Sequence, residues 1–159
     1  MATVRVEVEI AAPPEEVRAV LLDFPRYKEW HSNFIKHIST LPPGKPGIAL
    51  QPGDRLHAEF PGSTIEPAVI SNAPSEFRWY DRGALGAFAG IHYWEFRESR
   101  STEGGTTFVH GEDYDGWATF LFREGWPLRG TARGMFEGFS EDVKVRVEGL
   151  RAGGARGGY

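Results

Sequence analysis

IHYWEFRESRSTEGGTTFVHGEDYDG, residues 91–116, decides the fold. Two runs rich in aromatic and β-branched residues flank STEGG, a turn composition, so the stretch predicts a β-hairpin. Side chains in a strand alternate between its two faces. His92, Trp94 and Phe96 therefore share one face of the first strand, and Phe108, His110, Glu112 and Tyr114 share one face of the second. Val109, Gly111, Asp113 and Asp115 take the opposite side, where the two aspartates suit water. A face that carries aromatic rings, two imidazoles and a carboxylate is neither plain core nor plain surface. It predicts a face turned toward a ligand.

Upstream, VRVEVEI (Val4 to Ile10) alternates strictly, as in a half-buried antiparallel strand. In AAPPEEVRAVLLDF, Pro13 and Pro14 suit a helix start and Glu15 and Glu16 its first turn. Val17, Val20, Leu21 and Phe24 follow at i, i+3, i+4 and i+7, and Pro25 ends the helix. RYKEWHSNF gives a short helical turn, in which Trp30 reads as a plug and His31 as solvated. Strands are expected near 34–39, 54–60, 64–71 and 76–82, with Pro67 marking an edge or bulge and the Pro- and Gly-rich 41–53 a loop.

Downstream, Pro127 interrupts the apolar stretch 117–130. Phe136, Phe139, Val143, Val147 and Leu150 then repeat at helical spacing, with Thr131 as the expected N-cap. The order predicts an α+β fold: a curved antiparallel sheet of about seven strands around a long C-terminal helix, with a short N-terminal helical pair and an internal cavity. One domain spans 1–150, and the Gly-rich 151–159 reads as a disordered tail.

Composition narrows the function classes. The 159 residues suffice for one self-sufficient core. With no cysteine, disulfide frameworks, thiolate metal sites and thiol nucleophiles are excluded. The net charge is −4 with scattered Lys and Arg, which argues against a nucleic-acid surface. No run approaches a membrane span, so the expected setting is cytoplasmic, without integral membrane association. Aromatic residues, 13% of the chain and concentrated between Phe77 and Phe139, fit a core or a pocket for a bulky ligand.

Together, I-A-A-P-P-E-E-V (10–17), D-F-P-R-Y-K-E-W (23–30), G-x-H-Y-W-E-F (90–96) and G-T-T-F-V-H-G-E-x-Y-x-G (105–116) resemble the START-like, or SRPBCC, superfamily. That superfamily includes the birch-pollen-allergen fold and the polyketide cyclase/dehydrase group. The resemblance runs from Val4 to Leu150. It implies a helix-grip fold with a deep cavity under the last helix for lipids, sterols, hormones or polyketide-like molecules. It implies no metal and no other cofactor, and it leaves enzyme and carrier both open.

On that frame His110 and Glu112, about 7 Å apart along a strand, form the candidate acid–base pair, with His92 and Tyr114 orienting the ligand or stabilising charge. Cofactor-free cyclisation, dehydration or isomerisation of a bulky aromatic or polyketide-like molecule is the leading expectation. A non-catalytic carrier or sensor is the alternative. The bland reading pairs His110 and Glu112 structurally, through Arg133 or Arg129. The expected lining is Phe77, Trp79, Trp94, Phe96 and Phe108 from the sheet, and Met135, Phe136 and Phe139 from the helix. Phe88 in GALGAFAG and Phe120 and Trp126 in FLFREGW would act as gates. Gly134 and Gly138 read as close backbone approach or room for ligand. The expected partner is a hydrophobic small molecule, on a monomer or homodimer.

Overall fold

The computed structural model describes residues 1–156. The chain runs β1 (Ala2–Ile10), α1 (Pro14–Leu22), β2 (His37–Leu41), β3 (Arg55–Phe60), β4 (Ser63–Ile65), β5 (Ala68–Ala73), β6 (Glu76–Asp81), β7 (Ala89–Glu98), β8 (Thr106–Asp115) and α2 (Pro127–Arg156). Short 3-10 turns occupy Phe24–Glu29, Gly47–Ala49, Ala84–Gly86 and Thr119–Phe122. The sheet is antiparallel, in the order β1-β8-β7-β6-β5-β3-β2, with β4 paired to β3. The α+β helix-grip architecture expected from the sequence is the one observed.

Three local expectations change. The predicted 64–71 strand is two strands, separated at Glu66 and Pro67, because proline cannot donate to a ladder. Pro127 begins α2 instead of interrupting it, since its missing N–H costs nothing in a first turn. Thr131 is therefore inside the helix, not at its cap. At the other end α2 continues through the Gly-rich stretch to Arg156, and 157–159 lie outside the described residues.

α2 packs on β1, α1 and β8. Its buried side chains are Phe136, Phe139, Ser140, Val143 and Val147, a single stripe at i, i+3, i+4, i+7 and i+11. Gly134 and Gly138 face the other way: a Cβ on either would touch nothing, so they serve neither close approach nor ligand room. α1 leaves β1 beside Thr106, whose Oγ1 donates to Ala12 O at 2.7 Å, and lies on β7 and β8.

The loop between Trp30 and β2 is fixed from an unexpected quarter. His31 is buried, not solvated, with its side chain only 1% exposed. Its Nε2 accepts the backbone N–H groups of Phe34 (3.1 Å) and Ile35 (2.9 Å). An acceptor nitrogen carries no proton, so the hydrogen sits on Nδ1 and is donated to Asp142 Oδ2 of α2 at 2.9 Å. One imidazole thus ties the loop to the helix and aims Phe34 inward. Trp30 is half-buried against Tyr27 and Phe139, as a plug should be.

Candidate functional site

Strand register settles which face points at α2. Val4 pairs with Glu112, Val6 with His110 and Val8 with Phe108 across β1–β8. His92 pairs with Glu112, Trp94 with His110 and Phe96 with Phe108 across β7–β8, while Phe77 and Trp79 on β6 face Trp94 and His92. A slip of one residue would reverse every one of these side chains. Tyr80 falls on the opposite face and is exposed.

The inward face divides in two. Toward α1, Phe77, Phe96 and Phe108 are buried core; Phe96 stacks on Phe108, and Phe24 meets Phe77. Beyond them lies a polar chain enclosed by aromatics. Glu112 Oε2 is 3.2 Å from His92 Nδ1, and His92 Nε2 is 2.7 Å from His110 Nε2. On the helix side, His110 Nδ1 lies 3.5 Å from Ser140 Oγ. Arg133 pairs with Glu137 and Arg129 donates to the Phe122 carbonyl, so neither arginine joins the chain.

Donor and acceptor bookkeeping limits the arrangement. The 2.7 Å contact between the two Nε2 atoms needs one hydrogen, carried by either ring. With that hydrogen on His110, Ser140 can donate to His110 Nδ1, and His92 Nδ1 donates to Glu112 Oε2. Glu112 is the end of the chain near solvent, its side chain 19% exposed, whereas His110 is fully buried. Tyr114 hydrogen-bonds Glu112, and burial first, then the Glu112 charge, pushes its phenol far up, so it stays an O–H donor. A Cβ at Gly90 would lie 2.6 Å from Glu112 Oε1, so glycine leaves room for the carboxylate to fold over the strand. Asp81, at the end of β6 opposite Gly90, has its carboxyl pushed up by burial and further by the charge on Glu112.

The expected cavity lining is packed ring against ring. Phe34 enters between sheet and helix and lies against His92, His110, Phe136 and Phe139. Phe136 stacks on His110 at 4.3 Å, and Trp79 and Trp94 close the sheet side around His92. Trp94 Nε1 is buried with no hydrogen-bond partner among the described residues. Met135 is partly buried against the core, as is Phe88, which meets Phe122 edge-on; Tyr114 stacks on Phe122 at 4.1 Å. Phe120 and Trp126 do not line this space: they are exposed and pack on each other. A cleft of about 600 Å³ opens elsewhere, between Leu22, Phe24, Ile38, Pro46 and Ile48, and holds none of the predicted site residues. Phe34, Ser140, Asp81 and Phe122 escape a sequence reading because all four lie outside the hairpin and its pattern. Ser140 alone carries a signal, being polar within the apolar helical stripe.

Burial holds His110 well below the usual imidazole range, and the neighbouring His92 adds to this; burial also lowers His31, against the opposing pull of Asp142. Both folded values lie below the unfolded one, so below about pH 6.5 the unfolded chain binds more protons and stability falls as pH falls. The expected slope is up to about 1.4 kcal/mol per pH unit for His110 and less for His31. Urea unfolding between pH 7.5 and 5 measures it, and a flat profile in His110→Phe relative to wild type would assign the slope to that ring.

With this geometry in place, comparison with solved structures gives the fold class. A START superfamily protein from Mycobacterium smegmatis superposes with a TM-score of 0.67 at 18% identity, over 93% of this chain and 98% of that one. A protein from Thermus thermophilus gives 0.63 at 19% identity, over 94% and 99%. The Aha1 dimer from Colwellia psychrerythraea gives 0.63 at 16% identity, over 93% and 97%. At these identities the likeness is one of fold, and it defines a START-like fold. Comparison with curated proteins found no match. The family model described as polyketide cyclase/dehydrase and lipid transport matches residues 1–152, and the chain belongs to that family. It is a family of hydrophobic-ligand binders. Among the described residues no helix is long and apolar enough to cross a membrane.

Proposed function

We propose that the protein binds a bulky hydrophobic molecule, aromatic or polyketide-like, between the sheet and α2, and promotes its cyclisation, dehydration or isomerisation by acid–base catalysis without a cofactor. The observation that carries this reading is the Glu112–His92–His110 chain, lying on the inward face of the sheet with a carboxyl group at its outer end. Isomerisation takes a proton from one carbon and returns it to another; dehydration delivers it to a departing hydroxyl, releasing water. Glu112 with His92 can serve as both acceptor and donor in such steps. His110 takes up part of the charge as the proton moves, and Tyr114 steadies the carboxylate. Trp94 Nε1, buried without a partner, would be available to donate to a substrate carbonyl. Entry of the ligand requires Phe34 to swing out, along with Phe88 and the 117–126 segment beside it.

A carrier using the same space is the second reading, favoured by one observation: each imidazole nitrogen of the chain already has a protein partner beneath Phe34. Native mass spectrometry of protein purified from its own host separates the two. The expected result is a co-purified apolar molecule that changes mass or structure when returned to fresh protein. A molecule released unchanged after prolonged incubation assigns the carrier.

A further inference from the structure

Phe34 covers the two inner histidines, and a single imidazole holds Phe34 in place. Among the described residues, the hydrogen bonds from backbone N–H groups of residues 32–35 all end on His31 Nε2, which accepts those of Phe34 (3.1 Å) and Ile35 (2.9 Å). The chain is anchored independently on either side of this segment. His31 N donates to Tyr27 O at 2.8 Å, and Lys36 N donates to Glu59 O of β3 at 2.7 Å. Between these anchors the backbone is neither helix nor strand. What keeps it closed is that one acceptor nitrogen and the rings against Phe34, among them Phe60, Phe136 and Phe139.

An acceptor nitrogen is also a base. A proton on Nε2 would turn the acceptor into a donor facing two donors, and both hydrogen bonds would be lost. The groups around the ring allow this charge without inviting it at neutral pH. Asp142 of α2 lies 2.9 Å from Nδ1 with its side chain 37% exposed, so a carboxylate within reach of water stands ready to balance an imidazolium. Arg146, which lines the same surface hollow as Asp142, is paired with Glu29. Burial opposes the charge, as does Lys36 in the loop itself, and His110 across the interior is held neutral by its own burial. We propose that His31 regulates access to the interior: a proton taken up on Nε2 releases residues 32–35 and lets Phe34 swing out, so the site opens as its surroundings turn acidic. This regulation rests on the reading that the interior holds a ligand. The sign follows from the closed ring binding protons less well than a released one. Closure is complete above about pH 6.5, and the ratio of open to closed rises by up to about tenfold for each pH unit below it.

The test is amide hydrogen exchange by NMR between pH 7.5 and 5, with the His31 ring signals followed in the same samples. Protection of the Phe34 and Ile35 amides should fall by up to about tenfold per pH unit below about pH 6.5, in step with protonation of His31. His31→Gln keeps an acceptor for the loop and a donor for Asp142 but cannot take the proton, so its slope at these two amides should be flat. Amides in the middle of α2, which exchange through unfolding of the whole domain, should retain the slope set by His110. Asp142→Asn removes the counter-charge at a partly exposed site and should move the loop transition to lower pH, a shift that decides the matter even if the glutamine variant fails to fold. Equal slopes at Phe34 and Ile35 in wild type and His31→Gln overturn the proposal, and so does a His31 ring that stays neutral while the loop opens. Uptake of N-phenyl-1-naphthylamine, an apolar probe uncharged over this range, should quicken as pH falls in wild type and not in His31→Gln. A probe that binds at no pH counts against the ligand reading alone, because the exchange measurement uses no ligand. Loop release with unchanged uptake of a probe that does bind overturns the regulation.

Discussion

Phe139→Ala is expected to lower stability by about 3–5 kcal/mol, the usual cost of emptying a fully buried phenylalanine site. The ring sits where three parts of the chain meet: Tyr27, Trp30 and His31 from the segment after α1, Phe34 from the inward loop, and Trp94 and His110 from the sheet. These neighbours are rings on separate elements and cannot collapse together into the space. Since a domain of this size has a total stability of about 5–15 kcal/mol, the variant should be only marginally folded at room temperature. Urea unfolding should show a large drop in midpoint with little change in slope. Phe120→Ala, at the surface, should stay within about 0.5 kcal/mol. A loss below about 1 kcal/mol at Phe139 would contradict the packing of α2 on the sheet.

Glu112→Gln carries the other large effect. An amide of the same shape can still hydrogen-bond His92 Nδ1, through its oxygen or its nitrogen, so the chain keeps its contacts while losing the carboxyl group. Turnover of the co-purified ligand should fall about 10²–10⁴-fold, the range for removing a general acid or base, with binding retained. Stability should move by less than about 1 kcal/mol, because the residue is partly exposed and its partners stay satisfied. Single-turnover measurement with the extracted ligand separates binding from chemistry. Unchanged turnover in this variant would end the acid–base role of the pair, whereas loss of binding alone would make Glu112 an orienting group.

What the sequence determined by itself was the frame. Strict alternation in Val4–Ile10 and in the 91–116 hairpin specified strands and the identity of their inward faces, because a period of two allows only one face to be apolar. The helical spacing of Phe136 to Val147 specified the buried stripe of α2. The alternation also placed His92, His110 and Glu112 on one face, where they meet. Boundaries were less legible: Pro127 reads as a break although proline suits a first turn, and the Gly-rich end continues the helix past its last buried residue, Val147, where no periodic pattern marks it.

Only the tertiary structure decided how the face is filled. His31 reads as solvated because no sequence pattern marks a partner for it. Its partners are two backbone N–H groups in the adjoining loop and Asp142, 111 residues away. Phe34 in that loop belongs to no periodic pattern, yet it closes the space above His92 and His110. Phe120 and Trp126, expected as gates because their segment is apolar with Gly hinges, pack on each other at the surface, and the turn at 119–122 sends Phe122 inward instead. Periodicity reports which side of an element is apolar. Which distant group fills the opposing space depends on long-range contacts, which no local pattern encodes.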